Sequence, residues 1–239
     1  NRPRAHNALS YDLLLEISNA LNTIKKNKRI KVLIIDANGP SFCSGHDLKE
    51  INSKNDKESY KKLFSLCSSV MLSIIKLDIP VIASVHSTAT AAGCQLVATC
   101  DLAIASDKAR FATPGVNIGL FCSTPMVALS RNISKKHSME MLLTGDLIDA
   151  LTAKEYGLIN RVVPYRDLND TVLEIAKKIL KKSSKTIATG KKAFYEQLEL
   201  GVSEAYKFTS EIMTDNMTEY NAQEGVDAFL QKRSPVWKD

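Results

Sequence analysis

A chain of 239 residues, 44% hydrophobic and 24% charged, has the material for one well-buried domain with an appendage. No apolar run approaches the roughly 20 residues that cross a bilayer. The net charge of +6 is scattered over lysine clusters at 25–31, 177–185 and 191–192, with no basic stripe interleaved with aromatics. A membrane span and a nucleic-acid partner are therefore not expected. What remains is a set of solvated helix faces, or a mildly basic surface for a phosphate-bearing small ligand. Five cysteines (Cys43, Cys67, Cys94, Cys100, Cys122), odd in number and without C-x-x-C spacing, support neither a metal site nor a disulfide framework. They read as buried thiols in a reducing compartment.

Leu14, Ile17, Leu21 and Ile24 recur at steps of three and four, which predicts an amphipathic helix running into the basic stretch. "IKVLIIDA", Ile30 to Ala37, reads as a buried strand. "NGPSFCSGHDLKE" reads as a loop broken by Gly39, Pro40 and Gly45. Tyr60, Leu63, Phe64, Cys67, Val70, Met71 and Ile74 trace a second long helix. "IPVIASVH" is the second strong strand, "TATAAGCQLVATCD" the loop and short helix after it, and "DLAIAS" a third strand. "RFATPGVNIGLFCST" is irregular. Helices resume near Thr124 and Ser134, "INRVV" is a short strand, and the pattern beyond Asp167 is helical. Strands alternating with helices, then helices alone, predict an α/β core with a C-terminal α-helical region. No repeat at a 20–50-residue period and no linker is evident.

Two strand–loop–helix units carry the chemistry. In each, a glycine-containing loop, at Gly45–His46 and at Ala92–Gly93, follows a strand and precedes a helix. Such loops can turn backbone N–H groups, aided by the helix dipole, toward developing negative charge.

Taken in order, "NRPRAHNALS", "SFCSGHDLKE", "AAGCQLVATCDLAIASDKARFATPGVNIGL", "LLTGDLIDALTAKEYGLINRVV" and "AFLQKR" resemble the crotonase (enoyl-CoA hydratase/isomerase) family over nearly the whole chain. The resemblance implies a spiral of ββα units over residues 1–165 and a helical trimerisation region over 166–239, assembled as a homotrimer or hexamer. It implies an acyl-CoA ligand, with coenzyme A as part of the substrate and no other cofactor. It also implies short-chain or fatty acyl metabolism in the mitochondrial matrix or a bacterial cytoplasm. The thioester carbonyl would lie between the backbone N–H groups of His46 and Ala92, the latter standing where the family usually has glycine. Arg4 falls where a basic residue meets CoA. Ser44, His46, Asp47 and Leu48 match the loop lining the adenine and pantetheine. Phe229 and Lys232 match C-terminal residues bordering CoA, often from a neighbouring subunit, although Lys232 reads equally well as a solvated helix charge.

The family's hydratases hold water between two glutamates. The first position is Gln95 here and the second Gly115, and an aspartate used by dienoyl isomerases falls on Ser123. A carboxamide orients water but has no basicity near pH 7. General acid–base catalysis contributes about 10²–10⁴-fold, so losing the shuttle costs on the order of 3–6 kcal/mol of barrier. Lyase-class hydration is what the resemblance implies, and the missing acids argue against it.

The His46 side chain is the only imidazole beside the loop, and it could face CoA, solvent or a substrate proton. His86 reads as structural. Thr113, Asn117 and Ser123 are available for a polar acyl group or for ordinary loop hydrogen bonds. Cys122 has no neighbour in sequence to lower its pKa. Three functions stay open: decarboxylation of a malonyl-type thioester, which needs no base; hydration or isomerisation through another acid or base; and acyl-CoA binding without turnover.

Overall fold

The computed structural model describes residues 1–238. Ser10 starts the first helix by accepting the Leu13 N–H. From there α1 (Tyr11–Lys26) buries Leu14 and Leu21 and ends on Lys25 and Lys26, which suit the negative end of its dipole. Asp47 caps the short α2 (Leu48–Lys54) and Asp56 caps α3 (Lys57–Ile75). On α3, Leu63, Cys67, Val70, Met71 and Ile74 form one buried face, packed toward α1. Phe64 lies on the outer part of this helix, half-exposed.

Among the described residues eight short strands make two four-stranded sheets. In the first, β1 (Leu33–Ile35), β3 (Val81–Val85), β5 (Leu102–Ser106) and β8 (Arg161–Val163) lie in that order, all parallel. In the second, β2 (Ser41–Cys43), β4 (Thr88–Thr90) and β6 (Arg110–Ala112) are parallel, and β7 (Ile148–Asp149) closes the edge antiparallel. Three times the chain gives one strand to each sheet and then helical segments, and the last turn runs β7, α7 (Ala150–Tyr156), β8, which makes an α/β spiral with ββα units. The turns are unequal in length, so no sequence period marks them.

The period of two along a strand explains how the first sheet is buried on both faces. Val81, Ala83 and Val85 of β3 and Ala103 and Ala105 of β5 face the main core. Ile82 and Ile104 point the other way, onto Leu168, Val172 and Ala176 of α8 (Leu168–Leu180). The strand expected at Ile30–Ala37 is shorter than that run and only half-buried, because β1 is an edge strand. The stretch expected to be a loop after it contains β2 and the start of α2. The stretch read as irregular contains β6 and a 3-10 turn over Pro114–Ile118.

Between the sheets and the C-terminus lie α4 (Ala92–Thr99), α5 (Pro125–Asn132), α6 (Lys135–Thr144) and α7 (Ala150–Tyr156). Every residue of α4 is buried, and its neighbours include β2, β4 and α5. After α8 come α9 (Ser184–Gln197), α10 (Val202–Thr218) and α11 (Tyr220–Leu230). Lys191 ties α9 to the sheet: its ammonium lies 2.6 Å from Asp101 Oδ2 and donates to Ile74 O and Ile79 O, while Tyr195 OH donates to Asp101 Oδ1. No helix among the described residues is long and apolar enough to cross a membrane.

Candidate active site

The two glycine loops meet because small residues let their backbones touch. A Cβ added at Gly93 would stand 2.2 Å from Cys43 O, so the first turn of α4 rests directly on β2. Gly45 adopts φ 96°, and a Cβ there would lie 2.8 Å from Ala91 Cβ and 3.5 Å from Ala92 N. Ala91 itself sits at φ 50°, ψ −120°, a conformation that disfavours a side chain and that its surroundings impose. On one side Ala91 N–H donates to Ala112 O at 2.9 Å, and on the other Gln95 N–H donates to Ala91 O at 3.0 Å.

This arrangement leaves several donors open, the His46 and Ala92 N–H groups among them. Around His46, Leu9 N–H donates to Gly45 O and Asp47 N–H to Leu9 O, but the His46 N–H donates to nothing among the described residues. The Ala92 N–H, first in α4, also lacks an acceptor there. The positive end of the α4 dipole adds to its pull on an anion.

Gln95 and Gly115 are both buried. Gln95 is 5% exposed, with its Oε1 sealed and unpartnered. Thr113, at 1% exposed, stands at the N-cap of the 3-10 turn, yet its hydroxyl caps nothing and has no partner. At Gly115 a Cβ would lie 2.6 Å from Leu120 O and 2.9 Å from Cys122 Sγ, so there is no room for any side chain. Burial raises the Cys94 thiol to about 12 and pushes Cys122 up as well, the Gly115 N–H pulling Cys122 the other way. All five cysteines are buried and free.

The His46 ring is held by packing within the chain. It is largely buried, edge-on to Phe64 at 5.3 Å between centroids, with Nδ1 3.4 Å from Leu9 O and Nε2 sealed without a partner. Burial lowers its pKa, against the raising effects of Leu9 O and Glu50, so the ring is neutral at pH 7. Asp47 is spoken for within the chain, 3.0 Å from Arg2 and capping Lys49 and Glu50 N–H. Burial pushes its carboxyl up, but Arg2 and the two backbone donors outweigh that and hold it below the usual range. Sequence reasoning missed Arg2, because its pairing with Asp47 spans 45 residues and leaves no local signal.

Arg4, Ser44 and Leu48 are exposed beside this loop. Phe229, 83% exposed, lies on α11, which packs against α10, and Lys232 follows just after that helix ends. Asn117 and Ser123 are exposed. Asn117 Nδ2 lies beside Gly145, and the Ser123 hydroxyl bonds Phe121 O. His86 is structural, its Nε2 lying 2.9 Å from Gly39 O.

A model of the enoyl-CoA hydratase/isomerase family matches residues 1–239. The chain belongs to this family. Its similarity to the enoyl-CoA hydratase domain-containing protein 3 of Rattus norvegicus, a mitochondrial protein by name, is 48% identity over 237 residues, covering 99% of this chain and 79% of that one. The human counterpart is 47% identical, over 99% of this chain and 78% of its own length. Among solved structures, an enoyl-CoA hydratase of Mycobacterium smegmatis superposes with a TM-score of 0.97 at 48% identity, covering 99% of this chain and 92% of that one. The crystal structure of the human domain-containing protein 3 gives a TM-score of 0.95 at 47% identity, over 98% and 93%.

Proposed function

We propose that this family member binds an acyl-CoA thioester with its carbonyl oxygen between the His46 and Ala92 N–H groups, and that these donors stabilise the thioester enolate. The observation carrying this reading is that both N–H groups lack an acceptor among the described residues, at the junction where the Gly45 loop meets the first turn of α4. An oxyanion there receives two hydrogen bonds and the end of the α4 dipole in a water-poor setting, where such donors count most. Arg4, Ser44, Asp47 and Leu48 would line the CoA from this chain, Asp47 through its backbone. Phe229 and Lys232 would do so from a neighbouring copy in a homotrimer or hexamer. Exposed Tyr206, Met213, Phe229 and Leu230 on the C-terminal helices support such an assembly. No further cofactor is needed. The relatives' mitochondrial names support the mitochondrial matrix as the location.

Hydration through two carboxylates does not fit Gln95 and Gly115, and the sealed His46 ring offers no substitute base. A second reading has one observation in its favour. With no general base present, loss of CO₂ from a malonyl-type thioester would deliver its electron pair straight into the enolate. Binding without turnover is the third.

The test compares butyryl-CoA with S-butyl-CoA, a thioether lacking the carbonyl oxygen, by calorimetric titration. Tighter binding of the thioester is expected, and equal binding would remove the carbonyl-cradle reading. Mass spectrometry of crotonyl-CoA and malonyl-CoA after incubation then separates the chemistries. Gain of water means hydration, loss of CO₂ means decarboxylation, and no change with confirmed binding means a carrier.

A further inference from the structure

Lysines from two clusters far apart in sequence, 25–31 and 177–185, meet in the fold. The end of α1, the turn before β3 and the first turns of α9 enclose a cleft of about 380 Å³. Its apolar floor is aliphatic, made by Ile24, Ile30, Leu77, Ile79 and Ala188, and no aromatic ring lines it. Its charged lining is Lys25, Lys28, Lys31, Lys185 and Lys238, against Asp78 as the one acid among the described residues there. Asp78 lies 3.7 Å from Lys28, and Glu219 holds Lys185 from outside the cleft. Lys238 rests over the Tyr220 ring, and neither it nor Lys25 meets a carboxylate among the described residues. Lys31 precedes β1 and Ile79 precedes β3, and the chain runs through those strands before it reaches the His46 loop and Ala92. The cleft therefore lies at the N-terminal edge of the first sheet, away from the carbonyl cradle.

We propose that this cleft is a second ligand site, and that it takes a free fatty-acid anion of medium length. The aliphatic tail lies on the floor and the carboxylate among the lysines. The volume is that of a small-molecule pocket. An inorganic anion would meet the lysines but leave the apolar floor in water. A neutral lipid would cover the floor and leave the gathered ammonium groups repelling one another, a repulsion that a carboxylate among them relieves. A nucleotide base gains most from stacking on rings, and the lining offers none. An aliphatic body with one anionic end uses both halves of the cleft.

Calorimetric titration of the purified protein with butanoate, hexanoate and octanoate, all as monomers in solution, tests this. Octan-1-ol, inorganic phosphate and vesicles of anionic phospholipid are titrated alongside. Octanoate is expected to bind saturably, and each added pair of carbons to tighten binding about fourfold or more. Octan-1-ol and phosphate should each bind about tenfold more weakly than octanoate, and rising salt should weaken octanoate. The double variant Lys25→Gln, Lys28→Gln removes charge from the rim, and Ala188→Leu fills the floor. Each should weaken octanoate about tenfold, with the parent's melting temperature reporting that the fold is kept. Saturating butyryl-CoA should leave octanoate binding unchanged. Displacement of octanoate by butyryl-CoA would put it in the carbonyl cradle and overturn the proposal. So would affinity independent of chain length, equal binding of phosphate and octanoate, or binding that both variants retain. Capture by anionic vesicles with no response to monomeric octanoate would also overturn it, and would assign the lysines to a membrane surface instead.

Discussion

The carbonyl oxygen of Leu120 lies directly over Gly115: a Cβ on that glycine would stand 2.6 Å from it. The same Leu120 donates its N–H to Gly115 O at 2.9 Å, so the chain folds back on itself there and cannot easily give way. The space a side chain at position 115 would need is therefore filled by backbone.

Gly115→Glu is accordingly expected to disrupt the protein rather than restore hydration. Overpacking of this kind costs about 1–3 kcal/mol or more. Crotonyl-CoA hydration should stay at background, and the melting temperature should fall. A Gly115→Glu protein that melts like the parent and hydrates crotonyl-CoA would show that the Leu120 turn moves aside.

Gln95→Glu is nearly isosteric and should fold. Its carboxyl would be buried without a cation, which raises its pKa. The folded state then holds a proton that the unfolded state releases, so the variant should lose stability relative to the parent as pH rises above the ordinary glutamate range of about 4.3. One positioned acid should lift crotonyl-CoA hydration by about 10² over the parent. Denaturant titrations from pH 4 to 8 and a steady-state assay check the two halves separately.

His46 supplies a pH dependence of the opposite sign. Burial lowers its pKa, so between that lowered value and the ordinary 6.5 the unfolded state binds the extra proton. Its contribution to stability is present above pH 6.5 and is lost as pH falls through that range, with a slope of at most about 1.4 kcal/mol per pH unit. Chemical denaturation of the parent and His46→Gln at pH 5–8 should show a gap that narrows toward acid. Parallel curves would mean that His46 does not titrate differently on folding.

Asp101→Asn should be among the most damaging single changes. Lys191 would keep two carbonyl acceptors but lose its counter-charge, with its side chain only 7% exposed. Breaking one partner of a buried pair costs roughly 3–5 kcal/mol, or about 6–20 °C in melting temperature for a chain of this size. A shift under 3 °C would assign the holding of α9 to its apolar contacts alone.

Parts of this molecule were legible in the sequence because they obey a period. The α3 face from Leu63 to Ile74 and the runs at Val81–Val85 and Leu102–Ser106 stand where their spacing put them. The three-residue strands β2, β4 and β6 carry too few residues for a period to show. They exist because each pairs with a parallel neighbour far away in sequence. Of the candidate site, the two glycine loops were legible, and the structure brings Gly45 against Ala91 and Gly93 against Cys43. The direction of the His46 ring was not, because it depends on Phe64 from α3, a packing relation between distant segments. Nor was the closure of Gly115, since nothing local says that Leu120 and Cys122 return over it.

The C-terminal helices carry a consequence for how the protein behaves in solution. None of the seventeen residues of α10 is buried within one chain, and Val202, Tyr206 and Met213 along it are exposed. A helix that length gains little from propensity alone and depends on what packs against it. If copies of the chain supply that packing, the law of mass action governs the order of this region. Its melting should then shift with protein concentration, while the sheets and α8, whose apolar contacts are made within one chain, set a floor that dilution does not lower.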